Sequence, residues 1–238
     1  MEIVKATLAA LPVVVVAAWL LVGMFGARLA PRAGRVPWSA PSRLFHWVMA
    51  FATLGTTSLM YYSQVYEAQA ASSPVARAQY GELLRLHKSI GLVVLFLVAF
   101  RFAWNRFRPR PALPATLSAP QRRLALGAHG TLYALMLAIP LLGWFASMAY
   151  GGRTHFFGLF ELPRWLGKDV EAAVVYRNGH IWLGWLMFAV LALHVGAALW
   201  HHFVKRDATL AQMLPWSARP APGAAVGEGR GSTMGNAT

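Results

Sequence analysis

The stretch GHIWLGWLMFAVLALHVGAALWHH, from Gly179 to His202, places His180 and His194 inside a run apolar enough to cross a bilayer. An ionisable side chain in hydrocarbon is costly and by default functional. Imidazole can carry a proton, hydrogen-bond across helices or ligate a metal. An α-helix turns about 100° per residue, so the fourteen residues from His180 to His194 fall roughly 40° short of four full turns. Both rings therefore face one way, separated by about 21 Å of helix rise. The chain has no cysteine, which rules out disulfides, thiolate metal sites and iron–sulfur ligation. Redox-metal chemistry in such a chain falls to histidine.

Eight histidines are present: His46, His87, His129, His155, His180, His194, His201 and His202. His155 reads as a solvated loop residue. His201 and His202 stand at a helix end, where a polar headgroup contact is the simpler account. The remaining five lie within or at the edges of apolar spans.

The elements that must position them follow from composition. Of 238 residues, 57% are apolar and only 13% charged, with ten Trp, which is the balance of a membrane protein. Crossing a hydrocarbon core takes roughly 20 helical residues, and five segments qualify, at about 6 to 26, 43 to 65, 85 to 105, 125 to 149 and 178 to 203. The first resembles a signal peptide. Pro31 after the small-residue stretch, a long apolar run and the basic residues that follow argue instead for a retained helix.

The net charge of +14 is distributed unevenly. Arg28, Arg32, Arg35 and Arg43 precede or open the second span without an acid among them. Arg106, Arg108, Arg110, Arg122 and Arg123 follow the third, and Lys205 and Arg206 begin the tail. The connections from Gln64 to Leu84 and from Gly151 to Arg177 mix both signs. Lys and Arg gather on the cytoplasmic side, so the expected topology has the N-terminus outside and the C-terminus inside. Orientation thus accounts for much of the basic charge, and no nucleic-acid partner is expected.

That topology pairs the histidines. SRLFHW opens the second span from the inside, placing His46 at the level of His194. LHKSIG opens the third from the outside, placing His87 at the level of His180. Two antiparallel helices meet at each of two depths. Zinc calls for three or four ligands in a tetrahedral shell, and no carboxylate or cysteine stands at either depth to complete one. Two opposed imidazoles suit the axial positions of a haem. Gly91 and Gly184, each four residues after such a histidine, would let a macrocycle lie close to the helix. Phe45, Trp47, Trp182, Trp185 and Phe188 permit an apolar wall without requiring one.

Over roughly residues 40 to 215, the segments SRLFHW, LHKSIG, AHGTLYALMLAIPLLGW and LALHVGAALWHHFVKRDATLAQMLP resemble the bacterial cytochrome b561 family. The resemblance implies an all-α integral membrane protein, with a four-helix transmembrane bundle holding two haem b groups. It also implies electron exchange with quinone, the ligands falling on His46, His87, His180 and His194. His129 matches a further histidine of the pattern, placed for a helix-start hydrogen bond or for a role beside a propionate or quinone. Arg43 inside, and Arg85 and Lys88 outside, are candidate cations for haem propionates; snorkelling would equally account for Arg43 and Arg101. Pro140 is expected to kink its helix.

The expected organisation is an extra N-terminal transmembrane helix with a basic cytoplasmic connection (1–39), a four-helix di-haem domain (40–215) and a disordered cytoplasmic tail (216–238). The extra helix departs from the family pattern. Residence in the bacterial inner membrane, N-terminus periplasmic and C-terminus cytoplasmic, follows, with lipid as the surrounding partner. Three functions fit. One is a self-contained quinone-linked cytochrome with a periplasmic donor, for example superoxide to quinone. Another is the haem-bearing anchor subunit of a periplasmic dehydrogenase or hydrogenase, held through the first helix. The last, a haem-free helical transporter, is disfavoured because no inverted repeat and no intramembrane carboxylate are visible.

Overall fold

The computed structural model describes residues 38–107 and 117–214. The expected helix at 6–26, the basic connection after it and the tail from 216 lie outside the described residues, as do Arg108 and Arg110. Four long helices carry the described chain: α1 (Ala40–Glu67), α2 (Pro74–Phe107), α3 (Ala119–Ala149) and α4 (Val170–Phe203). A two-stranded antiparallel hairpin, β1 (His155–Phe156) with β2 (Phe160–Glu161), lies between α3 and α4. A short 3-10 turn, Ala211–Met213, follows α4.

Local chemistry sets the helix starts. Ser39 caps α1 by accepting from Ser42 N, with Pro41 in the first turn. Ser73 accepts from Ala76 N at the head of α2. Ser118 and Gln121 form a reciprocal capping box on α3. Asp169 accepts from Ala172 N to begin α4, where a carboxylate also complements the helix dipole. The helices run further than their apolar cores: α2 starts eleven residues before the expected 85, and α4 eight before the expected 178. Backbone groups near a membrane surface are satisfied most economically by continuing the helix, so caps rather than hydropathy decide the ends.

α1 packs on α2, α3 on α4, and α2 joins the two hairpins through α3. Met49, Leu54, Leu92, Val98, Leu135 and Met148 form the buried centre. Large apolar side chains also face outward: Trp182 is 73% and Leu193 71% exposed. Such a surface suits lipid, not water. Among the described residues, three helices are long and apolar enough to cross a membrane, at Pro74–Asn105, Ala119–Ala149 and Val170–Phe203. The chain is therefore a multi-pass helical membrane protein. α1 is long enough at 28 residues, but its most apolar stretch falls short of those of the other three. Several of its hydroxyls are satisfied within the helix: Thr57 donates to Thr53 O at 2.9 Å, Ser58 to Leu54 O at 2.8 Å and Ser63 to Met60 O at 2.7 Å.

Both ends of the bundle are tied down. At the hairpin end, the fully buried Ser89 accepts Phe157 N–H at 2.9 Å and donates towards His155 O at 3.1 Å, holding the hairpin turn on α2. Gly158 closes that turn at φ +77°, with the Arg85 guanidinium against it. At the opposite end, the chain after α4 folds back over α1 as a strap. Trp47 Nε1 donates to Met213 O at 2.7 Å and Arg43 Nη1 to Leu214 O at 3.0 Å, with Leu214 almost completely buried.

Candidate cofactor site

The histidines meet in two places. His87 on α2 and His180 on α4 have ring centres 5.9 Å apart. His46 on α1 and His194 on α4 stand 6.1 Å apart. These are the pairs that helix rise and topology select. Two imidazoles on one metal have bonds of about 2 Å each, with each ring centre roughly 1 Å behind its nitrogen, so axial partners sit about 6 Å apart centre to centre. Both pairs fit that span.

The His87 and His180 pair shows its tautomer. His87 Nδ1 donates to Thr56 O at 2.9 Å, and Thr56 Oγ1 returns a bond to His87 O at 3.0 Å. His180 Nδ1 donates to Ile139 O at 2.8 Å, from the residue just before Pro140. A carbonyl only accepts, so the proton is on Nδ1 and the lone pair on Nε2 in both rings. Metal-ligating histidines are typically fixed in this way. Gly143 makes the approach of α3 possible: a Cβ there would lie 2.9 Å from His180 Nδ1. α3 remains helical through Pro140.

A cavity of about 610 Å³ surrounds this pair, of the size that takes cofactors. His87, His180, Gly91 and Gly184 line it, and a Cβ on either glycine would meet no atom within 4 Å. Lys88 and Arg177 stand on its wall. Lys88 Nζ donates to Ser147 Oγ at 2.9 Å, whereas Arg85 is engaged by Glu82. Of the two outer cations expected from sequence, Lys88 reaches the cavity.

At the His46 and His194 pair, His129 on α3 joins His194, ring centres 5.3 Å apart and the rings nearly edge to face. His129 thus stands beside the His46 and His194 pair, as its place at the start of the fourth span suggested. Gly130 and Gly196 there leave open space where a Cβ would go. Arg43 turns to the strap carbonyl of Leu214. Buried Arg101 instead reaches inward, donating to Ser42 O at 2.7 Å and Tyr133 OH at 2.9 Å, which overturns the snorkelling account of it. His201 has a partner within the chain that the sequence reading did not foresee: its Nδ1 lies 2.6 Å from Asp207 Oδ2. Burial pushes the Asp207 carboxyl up, but the donors of Thr209 and His201 outweigh it and hold it below its usual range.

Among the described residues, no group of three or more His, Asp and Glu is arranged to hold a metal ion by itself. Paired imidazoles beside an apolar cavity match a flat macrocycle that brings its own four nitrogens. Sequence reasoning missed Thr56, Gly143, Arg177 and the inward role of Arg101. The first two carry a faint signal, since Thr56 and Gly143 lie at the depths of His87 and His180.

The family model of the prokaryotic cytochrome b561 matches residues 37–216. Cytochrome b561 homolog 2 of Escherichia coli K12 is 33% identical over 177 residues, 73% of this chain and 88% of that protein. Cytochrome b561 homolog 1 of the same organism is 30% identical over 60% of this chain and 80% of its own length. The probable superoxide oxidase CybB of Yersinia pestis is 30% identical over 55% of this chain and 73% of its own.

Proposed function

The chain belongs to the prokaryotic cytochrome b561 family, and on that premise we propose that it moves electrons across the bacterial inner membrane through two bis-histidine haem b groups. The observation that carries this reading is the pair of imidazole separations, 5.9 and 6.1 Å, at two depths of one bundle. His87 and His180 hold the outer group, and His46 and His194 the inner. All four described helices span the membrane in this reading, and the chain ends inside.

Bound haem supplies a one-electron couple between ferric and ferrous iron. The protein's residues do the rest. Thr56 O and Ile139 O fix the outer imidazoles with Nε2 forward. With His87 and His180 holding one haem and His46 and His194 the other, neither iron would keep a site for oxygen or substrate, so the centres would carry electrons without bond chemistry. Lys88 and Arg177 offer positive charge to propionates at the outer wall. The separation of about 21 Å along α4 lets two sites bridge most of a core roughly 30 Å thick.

Quinone is the membrane carrier with which these centres exchange electrons, and the donor is periplasmic. The likeness to a probable superoxide oxidase favours a self-contained cytochrome taking electrons from a small reductant over an anchor subunit. Vesicles carrying the purified chain, with ferricyanide trapped inside and a membrane-impermeant reductant outside, test the reading. The interior acceptor should be reduced by wild type and not by His46→Ala or His87→Ala. Equal reduction by all three would rule out passage through these sites.

A further inference from the structure

We infer that Arg101 receives a propionate carboxylate of the inner haem and holds that haem's reduction potential up; the inference rests on the di-haem reading above. Arg101 lies on α2 six residues before its end and is 8% exposed. A guanidinium at such a depth is costly unless an anion compensates it. Its Nε donates to the Tyr133 hydroxyl of α3, and its Nη1 to the Ser42 carbonyl of α1. Both acceptors are neutral, and both lie on other helices, so the charge points into the bundle.

The mount is rigid. Asn105 Nδ2 donates to the same Tyr133 oxygen at 3.0 Å, and Ser42 Oγ donates to Asn105 Oδ1 at 3.4 Å. Three helices thus fix one guanidinium, and Ser42, Arg101 and Asn105 are all buried.

The described chain offers this cation no carboxylate. Glu67, Glu82, Glu161, Asp169 and Glu171 belong to the opposite end of the bundle, and Asp207 is engaged by His201. Among the described residues Arg101 forms no ion pair. Ser42 precedes His46 by one helical turn, about 6 Å of rise, so the guanidinium stands just to the inner side of the His46 and His194 rings. A macrocycle held between His46 and His194 brings carboxylates of its own, and the planar fork of arginine suits them. Neutralising a propionate removes a negative charge that would stabilise ferric iron. The cation therefore favours the reduced state.

Redox potentiometry and resonance Raman spectra of the purified full chain test this, on wild type, Arg101→Gln and Arg101→Lys. Arg101→Gln should keep both haems, lower the midpoint potential of the one that His46→Ala removes, and shift its propionate bending bands. Arg101→Lys, which keeps the charge and loses the fork, should move those bands while its potential stays nearer wild type. Two haems with unchanged potentials and bands in Arg101→Gln would overturn the inference and leave the di-haem reading intact. Should Arg101→Gln not fold, unchanged bands in Arg101→Lys would overturn it alone. Wild-type protein without b-haem would instead defeat the di-haem reading itself.

Discussion

Gly143 shows how the seat of a buried histidine depends on a residue with no side chain to offer. The His180 ring occupies the volume where a Cβ would stand, and its Nδ1 is held by Ile139 O one turn earlier on the same helix. Gly143→Ala should push the ring off that carbonyl and loosen the outer site while sparing the inner. Loss of an orienting partner typically weakens metal binding about 10–100-fold. Haem content of the purified variant checks this, and full occupancy of both sites would show that the ring tolerates the methyl group. The proximity of the histidines in pairs was legible in the sequence, because helix rise and antiparallel topology place His46 with His194 and His87 with His180. Thr56, Gly143 and Arg101 were not, since their roles depend on how neighbouring helices rotate and approach. Nothing in a single helix's pattern states that.

At the scale of elements, the helices begin before the starts expected from hydropathy, because capping residues set them. Ser39, Ser118 and Asp169 stand as caps where the structure begins α1, α3 and α4. The strap after α4 was not legible, because its order comes from tertiary bonds to Arg43 and Trp47 and from the local tie of His201 to Asp207. Asp207→Asn should raise hydrogen exchange across residues 207–214 with both haems retained; unchanged exchange would mean the tie contributes nothing. The sign of its pH dependence is fixed. A carboxyl held below its usual value contributes stability that is present above the unfolded value, about 3.9, and is lost as pH falls through the lower folded value. The strap of wild type should therefore loosen only below about pH 4.

At the scale of the molecule, two helical hairpins joined through α2 and α3 bring α1 and α2 to face α4 at two depths. Composition established a membrane protein and the charge asymmetry an expected orientation, while α1, expected at 43 to 65, sets polar residues along an apolar helix. That polarity has a function in the arrangement, since Ser42, His46 and Thr56 all face partners on other elements. The central claim is that this bundle holds two haems, each on its own histidine pair. Its most direct test is the pyridine haemochrome stoichiometry and the reduced-minus-oxidised spectrum of purified wild type and His180→Ala. Two b-haems per chain in wild type and one in the variant is the predicted result; a colourless wild type, or a variant that keeps both, would contradict it.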